Sequence, residues 1–241
     1  MKYTLTLLFG LSFIAALGQF KAEDQKTFFG IEYKPIFSSN FFTTGPNFGF
    51  ENNLTYSLHN TSGSSIGMVV RQNVVGKFSI ESGINIITRN YHLELSDDTS
   101  SFTASDDFKL VSYEIPVLGL VYVQAGERVF INAGTGFSFN FLPTELSSFQ
   151  PNVYSQLAVR KGWVKMALLA QLGAEYRTEN SGIFYLGSSF HLPFNDLAVS
   201  RAERIKPGNR PRVSAPLAGR FLTLSIRYFF GPTPKEKAAK K

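Results

Sequence analysis

From residue 27 onward the chain falls into eight strand-like segments, several of which alternate apolar and polar side chains, and few folds accept such a pattern. In Lys77–Leu95, Phe78, Ile80, Ile84 and Ile86 fall on one face and Lys77, Ser79, Glu81 and Asn85 on the other. In Arg128–Leu142, Val129, Ile131, Ala133, Phe137, Phe139 and Phe141 oppose Asn132, Gly134, Gly136, Ser138 and Asn140. Gly162–Arg177 and Gly219–Phe230 repeat the pattern, with Val164, Met166, Leu168 and Leu172 against Lys165, Gln171 and Glu175, and Leu222, Leu224 and Ile226 against Thr223, Ser225 and Arg227. A period of two places the sets on opposite faces of a sheet.

The remaining predicted strands are Thr27–Phe37, Ser65–Asn73, Phe108–Val123 and Gly182–Leu192. Their connections alternate in length. Short turns fall at Val74-Val75-Gly76, Gln124–Glu127 and Thr178–Ser181, and long polar segments separate the pairs they join. Most of the strands reach the roughly 9–11 residues needed to cross a bilayer at a tilt. The pattern predicts an all-β fold: an eight-stranded antiparallel transmembrane β-barrel with short periplasmic turns and long extracellular loops. Pro116 lies inside the fourth strand, where it donates nothing to a ladder, and predicts a bulge or kink there.

Composition agrees. Aromatic residues make up 15% and charged residues only 17% of the 241, yet mean hydropathy is −0.02. That balance suits strands with one lipid face and one polar face, not membrane helices. With no cysteine, a disulfide framework, a thiolate metal site and a Cys nucleophile are all excluded. The net charge of +6 is concentrated in a late loop and the tail, which argues against a nucleic-acid partner. Met1-Lys2, the apolar run Leu5–Leu17 and the small residues of Ala16-Leu17-Gly18 predict a signal peptide over 1–18. A periplasmic segment over 19–26, the barrel over 27–230 and a basic periplasmic tail over 231–241 complete the expected organisation.

The fourth strand reads Tyr113-Glu114-Ile115-Pro116-Val117-Leu118. It resembles the Y-x-E-I-P-x-L signature of the small outer-membrane barrels of Bacteroidetes, the PorT-like group, with the gap between Tyr and Glu one residue shorter. The aromatic end Tyr228-Phe229-Phe230 resembles the terminal signal read by barrel-assembly machinery, although a tail follows it. The resemblance implies an outer-membrane location. Some members of that group resemble parts of a secretion and gliding apparatus.

On this register Glu32, Lys34, Arg71, Lys77, Glu81, Glu114, Lys165, Glu175, Arg177 and Arg227 all project inward. An eight-stranded barrel holds packed side chains or one small ligand. Buried charges must be paired, so an interlocked ionic plug is expected, with a narrow ion path as the alternative. The histidines, His59, His92 and His191, show no metal-type spacing. Ser189 and His191 share a face, but a nucleophile also needs a base oriented by a third group, and no carboxylate is evident on that strand. A solvated rim position is expected for His191, and no catalytic residue, cofactor or metal is predicted.

The last long loop carries Arg201, Arg204, Lys206, Arg210 and Arg212. Such a cluster suits phosphates of lipopolysaccharide or an acidic partner. The other expectation is a solvated loop, or one paired with the acidic segment containing Asp97, Asp98, Asp106 and Asp107. Trp163, Tyr176, Tyr91 and Tyr228 are expected at the membrane interfaces. Expected partners are therefore outer-membrane lipid and lipopolysaccharide, with envelope or secretion proteins. The function expected is a structural or interaction barrel, ahead of a small ion or solute transport barrel and, more remotely, a lipid-modifying enzyme.

Overall fold

The computed structural model describes residues 26–37, 47–51, 53–143, 146–151, 153–160, 162–179, 181–206, 208 and 210–231. The expected signal peptide lies outside them, as does the basic tail beyond residue 231. Thirteen strands occur in order: β1 Thr27–Phe37, β2 Asn47–Glu51, β3 Leu54–Val75, β4 Phe78–Asp97, β5 Phe102–Gln124, β6 Val129–Phe141, β7 Leu146–Gln150, β8 Tyr154–Arg160, β9 Val164–Arg177, β10 Ile183–Pro193, β11 Ala198–Arg204, β12 Arg212–Leu217 and β13 Phe221–Phe229.

Eight of them close a ring. β1, β13, β10, β9, β6, β5, β4 and β3 pair in that order, and β3 returns to β1. Every pairing is antiparallel. The wall turns its apolar set outward: Phe29, Ile31, Ile66, Met68, Phe78, Ile80, Ile84, Ile86, Ile131, Phe137, Leu172, Leu186 and Ile226 are all exposed. Closure pairs the backbone around the ring, so such a belt can face hydrocarbon without stranded polar groups. One two-residue turn joins β3 to β4, where Gly76 supplies the left-handed φ of 53°.

Pro116 causes neither a bulge nor a register shift. The β4–β5 pairing has one register on either side, Ser82 with Val117 and Asn85 with Glu114. The Ser82 hydroxyl donates to the Pro116 carbonyl at 2.8 Å.

Two strands, β3 and β5, are much longer than the pattern indicates, whereas β4 matches the expected Lys77–Leu95 within two residues. β3, β4 and β5 continue beyond the belt, and most of the acidic segment containing Asp97, Asp98, Asp106 and Asp107, a long polar connection by its pattern, is instead a ladder ending at Asp97 opposite Phe102. Its alternate Ser, Thr and Asp residues form the solvent face of a strand pair and so read as loop. Past the belt the inner face becomes apolar. Tyr91, Leu93 and Leu95 of β4 and Ala104, Phe108 and Leu110 of β5 are buried. In β3 one extra residue between Asn60 and Gly63 shifts the parity. Leu54, Tyr56 and Leu58 therefore face the same side as Ser65, Val69 and Arg71.

A four-stranded sheet, β12-β11-β8-β7, covers these extensions. Both hairpins fall in segments expected to be loops. Ala198, Ala202, Val213, Ala215, Leu217 and Tyr154 pack with Leu54, Leu58, Leu93 and Leu95 into one apolar core above the barrel.

Candidate functional site

The inner faces of β1, β3, β4, β9 and β13 bring together residues far apart in sequence. Arg71 donates to Glu81 from Nε at 3.0 Å and from Nη2 at 2.9 Å, and to Glu175 from Nη1 at 2.8 Å. Arg227 reaches the other Glu81 oxygen at 2.6 Å, Glu32 at 2.8 Å and the Gln171 side-chain amide oxygen Oε1 at 2.9 Å. Lys34 lies 2.7 Å from Glu32, and Arg177 donates to Glu175 at 2.7 Å. The result is one chain of alternating sign: Arg177, Glu175, Arg71, Glu81, Arg227, Glu32, Lys34. Each carboxylate serves two cations, which is how charges in a low-dielectric interior offset the cost of leaving water.

Aromatic rings line the chain. Arg71 sits 4.0 Å above Phe229, Arg177 3.8 Å above Phe130, and Arg227 4.7 Å above Tyr185. The Tyr185 ring fits only because Gly173 and Gly187 lie beneath it. A Cβ at either position would fall within 2.5 Å of that side chain.

Nearer the loops lies a second group. His191 Nε2 is 3.0 Å from Glu114 and 3.0 Å from the Ser138 hydroxyl, and its ring stacks on Phe221. Asn85 donates to Glu114 at 3.2 Å. Arg89 donates to Ser112 at 2.7 Å and lies over Phe221. Between the two groups is a void of about 20 Å³, bordered by Lys34, Glu114, Gln171, Ser189, His191 and Arg227. That is room for about one water molecule.

Eight of the ten residues expected inside are buried there: Glu32, Lys34, Arg71, Glu81, Glu114, Lys165, Glu175 and Arg227. Arg177 is half-buried at the turn-side mouth. Lys77 corrects the expected register. It occupies the two-residue turn and is exposed, because the strand starts one residue later at Phe78. His191 is another correction, being buried in the lumen and not solvated at a rim. Ser189 bonds Ser225 at 2.7 Å and not His191. Ser138 and Glu114 meet the same ring nitrogen, whereas a nucleophile and an orienting acid occupy opposite nitrogens of a catalytic base. Tyr91, expected in a girdle, is instead stacked on Phe108 in the cap core. Arg89 shares the inward parity of Ser79, Glu81 and Asn85 within the expected strand, but its inner-face neighbours Ile87 and Tyr91 are apolar and hide it from the polar set.

The basic loop forms part of the cap. Arg204 and Lys206 both bond Asp97, Lys206 at 2.6 Å. Arg212 reaches Glu203 at 2.9 Å, with Arg210 3.7 Å from the same carboxylate. Arg201 points outward and is exposed. The Lys206 ammonium, followed by Thr99, holds the Asp97 carboxyl well below the usual range. Burial pushes the Tyr91 phenol up to about 12. An open polar cleft of about 700 Å³ at the tip is bordered by Glu51, Asn53, Thr99, Lys206, Arg210 and Arg212.

The model of the family described as outer membrane protein beta-barrel domain matches residues 37–199. The chain belongs to that family. Family membership agrees with the closed ring and the apolar belt, and places the protein in the outer membrane. The fold is also that of a solved structure, the outer membrane protein OprG from Pseudomonas aeruginosa. The two superpose with a TM-score of 0.53 at 11% identity, over 86% of this chain and 96% of that one. No curated protein matches the chain.

Proposed function

We propose that this outer-membrane barrel is a structural and interaction component, with a sealed lumen and an extracellular cap that meets partners. It carries out no catalysis. The observation that carries this reading is the lumen itself: an alternating ionic chain spans its inner face beside a void of about 20 Å³, room for about one water. The resemblance of Tyr113–Leu118 to the PorT-like barrels of Bacteroidetes points to an accessory of protein secretion, working beside other envelope proteins. Exposed Arg201, Arg210 and Arg212 suit phosphate groups of lipopolysaccharide, which a guanidinium grips with two parallel hydrogen bonds.

The test is conductance of the purified barrel in planar bilayers. A silent membrane containing folded protein is expected. Steady discrete steps would overturn the sealed lumen and make the barrel a transporter of ions or small solutes. Recovery of envelope proteins in stoichiometric amounts with the barrel, from gently solubilised outer membrane, is the expected sign of the interaction role.

A further inference from the structure

The outward face of the cap joins two histidines and a carboxylate that are scattered in the sequence. His59 of β3 stands directly opposite His92 of β4, and His92 directly opposite Asp107 of β5. Residues paired this way share one face of the sheet, with Cβ atoms about 5 Å apart. The two imidazole rings have centroids 6.4 Å apart, and His92 Nδ1 lies 2.7 Å from Asp107 Oδ1. Both histidines are partly exposed and Asp107 is fully so. The row stands above the lipid belt, between Glu94 on one side and the Asn90–Lys109 pair on the other.

We propose that His59 and His92 form a surface site for a borderline transition-metal dication such as Zn²⁺, Ni²⁺ or Cu²⁺, with Asp107 as the positioning carboxylate. Two imidazoles sharing one ion at about 2.1 Å bring their ring centres to about 5 Å. The present separation needs to close by little more than 1 Å, which small rotations of exposed side chains supply. As the side chains stand, the described residues hold no ready-made group of three ligands. Asp107 accepts the Nδ1 proton of His92, which leaves the Nε2 lone pair for the ion. This is the arrangement in which an outer carboxylate fixes the tautomer and raises the basicity of a ligating histidine. Water completes the coordination. Imidazole suits these ions and not the harder Mg²⁺ or Ca²⁺.

The sheet prepares this site and sequence spacing hides it. His59 and His92 are 33 residues apart, and only the β3–β4 register makes them neighbours. The third histidine, His191, is buried in the lumen, so these two are the only imidazoles on the described surface.

The test uses the full barrel without a histidine tag, refolded in detergent and titrated with Cu²⁺ and Zn²⁺ by calorimetry. The nitrogen hyperfine pattern of bound Cu²⁺ is read by electron paramagnetic resonance. One ion per chain is expected, with two nitrogen ligands. His59→Ala and His92→Ala should each weaken binding at least tenfold and leave one nitrogen. Asp107→Asn should weaken it about tenfold with both nitrogens retained. Mg²⁺ should give no heat. All three positions lie on the solvent face, so folding is checked by the heat-shifted band in gel electrophoresis and is expected unchanged. No binding by the folded wild type, or binding that survives the His59→Ala/His92→Ala double variant, would overturn the proposal.

Discussion

The barrel wall and the cap above it are built from the same strands yet obey opposite solvents. Along β4 the inward residues change from Ser79, Glu81, Asn85 and Arg89 to Tyr91, Leu93 and Leu95, without leaving their face. The outward residues change in the other sense, from Phe78, Ile80, Ile84 and Ile86 to Asn90, His92 and Glu94. β5 does the same between Tyr113–Glu114 and Phe108–Lys109. In the membrane the outside is oil and the narrow inside must be filled with groups that pair. Above the membrane the outside is water and the inside must be apolar. The inversion therefore marks the bilayer surface on the sequence.

The two regions are consequently held by different forces, and mutations should separate them. The largest effect is expected in the lumen. Arg71→Met removes the cation that Glu81 and Glu175 share and leaves each buried carboxylate with one partner, Arg227 and Arg177; removal of one member of a buried ionic pair costs about 3–5 kcal/mol. Urea unfolding in lipid vesicles, followed through Trp163 fluorescence, should show that loss across the whole barrel. Equal stability in Arg71→Met would mean that the ionic chain does not hold the wall together.

Next comes the cap core. Leu95→Ala removes a fully buried side chain between the β4 extension and the covering sheet, at a cost of about 3 kcal/mol. Its effect should stay local, with faster proteolysis of the β7–β12 region while the heat-shifted barrel band remains. Loss of that band would show that cap and barrel fold as one unit.

The outer face gives a third contrast. Ile84→Arg in the lipid belt should cost about 2 kcal/mol in the same urea titration, because a guanidinium is driven into hydrocarbon. Ser96→Arg on the cap face of the same strand should change stability by no more than about 0.5 kcal/mol. Equal costs would misplace the inversion.

The smallest effect concerns the ionic latch at the cap tip. Asp97 has a depressed pKa in the folded cap, set first by the Lys206 bond and then by Thr99. Its contribution is fully present above the unfolded carboxylate value of about 4 and is lost as pH falls through the lower, folded value. Protease sensitivity of the cap should therefore rise in acid below about pH 4. Asp97→Asn should remove that acid step and start from the more sensitive level.

Much of the wall was legible in the sequence. β1 matches the expected Thr27–Phe37 at both ends, and β6, β9 and β10 match within two residues. Each carries apolar residues on its outward face, as a sheet between two solvents requires. The eight buried lumen charges followed from the same parity. Lys77 did not, because a turn ends the alternation one residue early. The cap reads as loops in the sequence for a local reason. Short strands such as β11 and β12, with Ala, Ser and Pro on their faces, carry too little apolar contrast to be seen alone.

By itself, then, the sequence determined which segments cross the membrane and which way their side chains face, since that choice rests on residues two apart. Tertiary structure alone decided the partners: Arg71 between Glu81 and Glu175, His191 against Glu114, Asp97 with Lys206, and His59 beside His92. Each of those contacts depends on strand register and ring closure, which bring together residues from 10 to 109 positions apart in the chain.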